Sequence, residues 1–278
     1  MRICKLVMLG FTLLVAVLVL GCQQKPGEKR DIHGFTEVHL AARNHDLARL
    51  DELISLGANV NVQDADGVAP LHRVARDGDL EWTKLLLERY ADPNLPTGAG
   101  WTALQLAVRN GHVKVTELLL SYGARPNTKT PDGRTPLHMA VAKNKPELIE
   151  LLLANWTSRT SGAEGGLDTG NASSTGGTDI EERDGRGRTV LHIAVEQGLN
   201  DTVPMLLGRG ASINAQNDDG QTPLHIAVEK DNEFLVLLLL SNHAEPNVRD
   251  AKGSTPYAVA FREHQTRNAA LIAQYGGR

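Results

Sequence analysis

Thr135-Pro136-Leu137-His138 is the stretch of sequence that decides the fold, because it recurs along the chain at a fixed interval. It returns unchanged at residues 222–225, and weaker copies of it occur at five other places. The copies begin at residues 36, 69, 102, 135, 189, 222 and 255. Five of the six intervals between these positions are 33 residues, and the sixth is 54. A fixed period of this size indicates a protein built from stacked repeats.

Each copy has the chemistry of a helix start. The threonine side chain can accept hydrogen bonds from the free backbone N–H groups of a first helical turn. Proline fits at the next position, where its missing donor costs nothing. Alanine lies five residues after the threonine position in six copies and lets paired helices approach closely. Leucine triplets such as Leu85-Leu86-Leu87 predict a second, buried helix, and glycines such as Gly57 predict its left-handed end.

The 33-residue period and the Thr-Pro-Leu-His-x-Ala pattern resemble the ankyrin repeat. The resemblance implies an all-α repeat solenoid of about seven helix-turn-helix repeats with hairpin turns, over residues 32–278. The expected repeats lie near residues 34–64, 67–97, 100–130, 133–156, 187–217, 220–250 and 253–276. One such unit cannot bury its own apolar face, so stability must come from stacking. The first and last copies depart from the pattern, and we expect them to act as caps.

The long interval contains an insertion of 21 residues within residues 157–178. Fifteen of the 22 residues in this stretch are Gly, Ser or Thr. This composition predicts a flexible loop without a core of its own. It leaves open whether the loop is inert or binds a partner.

Residues 1–21 have the pattern of an export signal. Arg2 and Lys5 precede an uncharged run of fifteen residues, 6–20. This run is short for a helix that must cross about 30 Å of hydrocarbon, but it suits a signal peptide. It ends in Gly21-Cys22, which resembles the lipobox of bacterial lipoproteins. The alternative is a plain signal peptide or an uncleaved anchor, with an incidental Cys22.

The lipobox resemblance implies cleavage before Cys22 and a lipid on its thiol. Residues 22–31 would then be the lipidated N-terminus and a polar tether. The membrane would be contacted through this lipid, in a bacterial cell envelope. In lipoproteins an Asp after the cysteine often signals retention in the inner membrane. Gln23 stands there instead, which favours the outer membrane.

Composition and charge argue against several classes of function. The formal net charge is −4, whereas a nucleic-acid-binding protein normally has a strongly basic face. Cys4 and Cys22 are too few for a disulfide scaffold or a cysteine zinc module. No nucleophile, metalloprotease or phosphate-loop motif occurs in the sequence. We therefore predict no catalytic residues, no enzyme activity and no cofactor.

Five of the ten histidines share one repeat position, three residues after the threonine. Stacked helices lie about 8–10 Å apart. Two nitrogens on one zinc ion lie no more than about 4 Å apart. Histidines at repeat spacing therefore cannot bind one ion together. We predict that they form structural hydrogen bonds with turn backbone, and that the chain has no metal site.

The ankyrin resemblance also implies where a protein partner would bind. In this family the residues seven and eight after the threonine face a groove, which here is basic in the first four repeats and more acidic after the insertion. The residue just before the threonine is apolar in the first three repeats. The candidate partner-binding residues are Phe35, Arg43, Val68, Arg76, Trp101, Arg109 and Lys143. They predict a partner with an acidic and partly apolar surface. Alternatively, the arginines are solvated charges that stabilise the C-terminal ends of helices.

These features together predict an envelope-anchored protein–protein interaction module, a scaffold or an inhibitor, with no catalytic activity. Two other functions remain open. The chain is alternatively an accessory or protective binding subunit of an envelope enzyme, or an exported effector that acts on host proteins. A lipid anchor would retain the protein and weighs against the effector.

Overall fold

The chain folds into a row of short helices. The computed structural model describes residues 30–31, 34–157 and 178–278, and for residues 155–157 it describes the backbone alone. In these residues it has fourteen helices and no strand, and the helices follow one another in seven pairs. The pairs are α1 (Glu37–Arg43) and α2 (Leu47–Ser55), α3 (Pro70–Asp77) and α4 (Leu80–Glu88), α5 (Ala103–Asn110) and α6 (Val113–Ser121), α7 (Pro136–Ala142) and α8 (Pro146–Thr157), α9 (Val190–Glu196) and α10 (Thr202–Gly208), α11 (Pro223–Glu229) and α12 (Glu233–Ser241), and α13 (Pro256–Arg262) and α14 (Thr266–Gln274).

Each first helix begins where the repeated motif predicts. The residue at the threonine position is the N-cap residue in all seven repeats, although the second repeat has Ala69 there. The predicted bond from a first-turn N–H to the threonine side chain forms at Thr102, Thr135 and Thr255. After the second helix, Gly57 has a φ of 87°, the left-handed conformation that was predicted. Tyr90 and His243 take the same place in other repeats, with φ angles of 63° and 67°. Glycine is therefore preferred at this turn but not required.

The helices stack in register along the chain. Each first helix packs against the first helix of the next repeat, in the order α1, α3, α5, α7, α9, α11, α13. The six alanines predicted to allow close approach are at most 3% exposed; they are Ala41, Ala107, Ala140, Ala194, Ala227 and Ala260. Stacking buries the apolar faces that a single repeat would expose. The predicted all-α repeat solenoid is confirmed.

Hairpin turns connect the repeats and pair with one another. In the turn before α3, one carboxylate oxygen of Asp64 accepts the backbone N–H groups of Asp66 and Val68, both at 2.9 Å. The next turn is joined to this one because the N–H of Gly98 donates to the carbonyl of Asp66 at 2.9 Å. The turns thus form a second line of contacts beside the stacked helices.

The stack continues across the predicted insertion. α7 packs on α9, and the N–H of Gly185 donates to the carbonyl of Asp132 at 3.0 Å. Thr157 is the last residue of α8. Thr178 is buried, and its hydroxyl donates to the carbonyl of Leu152 at 2.8 Å. Residues 158–177 lie outside the described residues, so of the predicted loop, 157–178, only the two ends are described.

Most of the predicted N-terminal segments lie outside the described residues. This holds for the signal, 1–21, for Cys22 and for the tether, 22–31, up to residue 29. Arg30 donates to the carbonyl of Gln63 at 2.7 Å, and the Asp31 carboxylate accepts the N–H of Phe35 at 2.9 Å. These two residues therefore belong to the packed first repeat. Among the helices of the described ranges, none is both long and apolar enough to span a bilayer.

Candidate partner-binding surface

Four of the predicted binding residues form a row at the ends of the first helices. Arg43 ends α1, Arg76 and Arg109 lie in the last turns of α3 and α5, and Lys143 directly follows α7. All four are exposed. They have the same or the next position in their repeats, so stacking aligns them along one side of the solenoid. We call them the basic row. A helix C-terminus also stabilises such cations by about 0.3–1 kcal/mol, so their position fits both interpretations of the sequence.

Three cations of the basic row have no carboxylate partner. Within the described ranges, no Asp or Glu lies at salt-bridge distance from Arg43, Arg109 or Lys143. Arg76 differs, because its Nε lies 2.9 Å from a carboxylate oxygen of Asp77. Exposed charges of one sign raise the local concentration of oppositely charged molecules. The first four repeats therefore present a positive edge.

The predicted apolar turn residues have contacts inside the chain that the sequence did not reveal. Phe35, Val68 and Trp101 are half-buried. The guanidinium of Arg73 lies 4.5 Å from the centre of the Phe35 ring, and that of Arg109 lies 5.0 Å from the centre of the Trp101 ring. Contacts of this kind stabilise a cation by about 0.5–1 kcal/mol at exposed sites. The rings thus restrain arginines next to and within the basic row.

Arg73 is a residue that the sequence interpretation missed. Its position in the repeat is apolar in every other copy: Leu40, Leu106, Met139, Ile193, Ile226 and Val259. Its guanidinium lies 2.5 Å from the buried carboxylate of Asp64. Burial alone would raise the pKa of Asp64, but hydrogen bonds from the Val68 N–H and from Arg73 hold this pKa below its usual 3.8. The break in the apolar pattern was the signal that could have revealed this ion pair.

A cleft between the first two repeats brings parts of the site together. It has a volume of about 130 Å³, and Arg43, Arg73, Arg76 and His45 contribute to its walls. Asp79, also in the wall, lies 2.9 Å from His45. Two residues of the basic row therefore share one depression. Arg109 and Lys143 continue the row on the third and fourth repeats and do not line this cleft.

The glutamates that lie seven residues after the threonine in the fifth and sixth repeats, Glu196 and Glu229, have contacts within the chain. Glu196 lies 2.6 Å from Arg188, which also pairs with the buried Asp184 at 2.7 Å. Glu229 accepts a hydrogen bond from Gln221. Arg188 carries one positive charge and contacts two carboxylates, so the group of Arg188, Asp184 and Glu196 keeps a net negative charge.

The five repeated histidines are structural, as predicted. In each of them Nδ1 accepts the backbone N–H of the capping residue. Nε2 lies 2.8–3.2 Å from a backbone carbonyl on the side of the next repeat. Burial is the main cause that lowers their pKa below 6.5; the residues are His39, His72, His138, His192 and His225. In the part of the chain that the structure covers, no group of three or more His, Cys, Asp or Glu could hold a metal ion.

The comparison with family models agrees with the fold. A model of ankyrin repeats, three copies long, matches residues 7–97, 38–130, 91–164, 123–217, 163–250 and 191–276. These overlapping matches run over nearly the whole chain. The chain belongs to the ankyrin repeat family. Ankyrin repeats generally mediate protein–protein interactions, and their fold is typically a non-catalytic interaction scaffold.

Solved ankyrin structures resemble this ankyrin chain along most of its length. The ankyrin repeat domain of Bcl-3, a member of the IkappaB protein family, matches with a TM-score of 0.72 and 26% identity. That match covers 86% of this chain and 99% of the Bcl-3 domain. An ankyrin repeat domain from Acinetobacter baumannii matches with a TM-score of 0.65 and 25% identity, over 75% of this chain and 98% of that domain. No curated protein matches the sequence.

Proposed function

We propose that this ankyrin chain is an envelope-anchored protein-binding module, a scaffold or an inhibitor, held at the bacterial outer membrane by a lipid on Cys22. The observation that carries the binding part is the basic row, since three of its four cations lack a carboxylate partner. The anchoring part depends on the sequence pattern of residues 1–22. Two acyl chains or more anchor a protein stably, whereas a single chain binds a membrane only marginally.

The chemistry of the basic row indicates the kind of partner. Guanidinium groups bind carboxylates in a forked, two-bond geometry. Trp101 and Phe35 leave part of their rings accessible beside arginines. Trp and Arg are the residue types most enriched at interface hot spots. The partner is therefore a protein with an acidic and partly apolar surface.

The anchoring part is tested by metabolic labelling with palmitate. The chain should incorporate the label and should need detergent for extraction. Cys22→Ala should abolish labelling and leave unprocessed precursor, whereas Cys4→Ala, the matched control, should change neither result. Labelling that persists in Cys22→Ala would contradict the lipid attachment.

The binding part is tested by affinity capture from solubilised envelope. The wild-type chain should retain a partner that is lost when Arg43 and Arg109 are both changed to Glu. The control changes Lys230 to Glu and so reverses the charge of that side chain. Lys230 has the same position in the sixth repeat as Lys143 has in the fourth. If the double variant retains the same partner as the wild type, the basic row is not the binding surface.

A further inference from the structure

The outward face of the seventh repeat carries an exposed aromatic ring at a position whose residue is buried in every other repeat. The position lies six residues after the capping residue. In the first six repeats it holds Ala42, Ala75, Val108, Val141, Val195 and Val228, each at most 3% exposed. In the seventh it holds Phe261, which is 70% exposed. A residue that only solvates the end of a solenoid would be polar here, because capping repeats need a polar outer face.

A hollow lies beside this ring. The rings of Tyr257 and Phe261 stack with their centres 6.4 Å apart, and they form one wall. The rest of the lining comes from four alanines, Ala260, Ala269, Ala270 and Ala273, and from the polar residues His264, Gln265 and Thr266. The hollow has a volume of about 360 Å³. The equivalents of Ala273 in the other repeats are all larger: Ile54, Leu87, Leu120, Leu153, Leu207 and Leu240. The face therefore combines a protruding ring with a depression made by small side chains.

The opposite end of the solenoid does not fit this face. On the first repeat, Arg49 pairs with Glu37 and, at 2.6 Å, with Glu52. These three residues occupy positions that are almost all apolar in the other repeats, so the outer face of the first repeat is charged. Burying these charges against Phe261 and the alanines would remove the water that solvates them and would supply no polar group in its place. Head-to-tail stacking of two chains is thus disfavoured.

The face is complementary to itself. None of the residues that line the hollow is Asp, Glu, Lys or Arg, and the titratable residues among them are Tyr257 and His264. Arg262, next to Phe261, pairs with Glu263 at 3.1 Å. Two such faces can therefore meet without opposing like charges. An apolar patch with a polar rim marks an interaction site, and a twofold dimer needs only one self-complementary patch.

We propose that two copies of the chain associate through these faces about a twofold axis, with the Phe261 ring of each copy in the alanine hollow of the other. The dimer would leave both basic rows free, because the cations of these rows lie on the first four repeats. It would also place two partner-binding surfaces in one particle.

Sedimentation equilibrium of the full chain, in detergent of matched density, tests the dimer. The weight-average mass should rise from one chain to two over a concentration series. Phe261→Lys should raise the dissociation constant at least about tenfold, and Ala273→Leu should raise it by filling the hollow. Circular dichroism should show unchanged helix content in both variants.

Two controls test the orientation of the dimer. Phe234→Lys alters a ring that is 54% exposed on α12 and does not line the hollow, and it should leave the constant unchanged. Arg49→Ala alters the opposite end of the solenoid and should also leave it unchanged. A chain that stays monomeric up to about 1 mM, or a dimer that is lost in Arg49→Ala but retained in Phe261→Lys, would overturn the proposal.

Discussion

In five of the seven repeats a single histidine side chain links the repeat to the turn that follows it, and the bonds of that histidine define its protonation state. A backbone N–H can only donate and a carbonyl can only accept. In His192, Nδ1 faces the N–H of Thr189 at 3.1 Å, and Nε2 faces the carbonyl of Gln221 at 3.1 Å. Nδ1 must therefore be the unprotonated nitrogen. A proton added there could use the Thr189 hydroxyl oxygen, 2.9 Å away, as an acceptor. It would still end the hydrogen bond from the Thr189 N–H, so protonation opposes the fold.

We expect the free energy of unfolding to fall in mild acid because of these histidines. Their pKa is lowered in the folded chain and is about 6.5 in the unfolded chain. Their stabilising contribution is complete above pH 6.5. It is lost as the pH falls from 6.5 toward the folded pKa, because there the unfolded chain binds more protons. Each histidine contributes a slope of up to about 1.4 kcal/mol per pH unit. Urea unfolding at several pH values measures this slope.

The third repeat supplies the matched control for this prediction. Gln105 replaces the histidine there; its carbonyl accepts the Thr102 N–H at 2.9 Å, and its amide donates to the Thr128 carbonyl at 2.7 Å. His192→Gln should thus keep both bonds and reduce the slope. His192→Ala should reduce the slope too, but should also lower stability at pH 8, since each unpaired buried group costs about 1–3 kcal/mol. An unchanged slope in His192→Gln would contradict the assignment.

At the scale of elements, the repeats on either side of the insertion pack as if it were absent. α7 contacts α9 as other neighbouring first helices contact each other. Nε2 of His138 lies 3.1 Å from the carbonyl of Arg188, across the insertion. These contacts require only that the period of 33 residues resumes. They do not depend on the amino-acid sequence of the inserted loop.

We therefore expect that deleting residues 156–176 leaves the solenoid folded. This deletion restores the 33-residue spacing, and it spares Thr178, whose buried hydroxyl bonds to Leu152. Gly177 then takes the position of Gly57 in the first repeat. The free energy of unfolding should change by no more than about 1–2 kcal/mol, because loop-closure entropy depends only weakly on length. Urea unfolding followed by circular dichroism measures this change. Loss of a cooperative transition would show that the insertion packs on the solenoid.

At the scale of the whole molecule, the charges of the basic row act together on an approaching partner. Arg43→Glu should slow association with the captured partner about tenfold at low salt and weaken the salt dependence of the association rate. Its effect on unfolding should stay within about 1 kcal/mol, since Arg43 is exposed and a cation at a helix C-terminus contributes only about 0.3–1 kcal/mol. Stopped-flow or surface-based kinetics measures the rate.

The control for this variant is Lys230→Glu, on the sixth repeat, which should leave the association rate nearly unchanged. Trp101→Ala would be a less selective probe of the binding surface. The Trp101 ring packs on the core and under Arg109, so its loss should lower both stability and binding. Equal association rates for wild type and Arg43→Glu would place the binding surface elsewhere on the solenoid.

The sequence by itself determined the repeat architecture of this protein. The Thr135 side chain caps its helix by accepting the backbone N–H of His138, only three residues away. Gly57 ends a helix because it adopts a left-handed φ angle. Each of these signals involves only residues of the same repeat, so the amino-acid sequence alone is enough to predict it. The period then predicts stacking, because one repeat cannot bury its apolar face alone.

Only the tertiary structure decided how the charged and aromatic side chains are used. Arg73 lies over the ring of Phe35, which belongs to the preceding repeat, and it pairs with Asp64 in the turn before its own helix. These partners depend on which side chains the stacking brings together. Phe261 has the position of six buried residues and is exposed because no further repeat covers it in the structure. Periodicity specifies a position within the repeat, whereas burial depends on whether a neighbour covers that position.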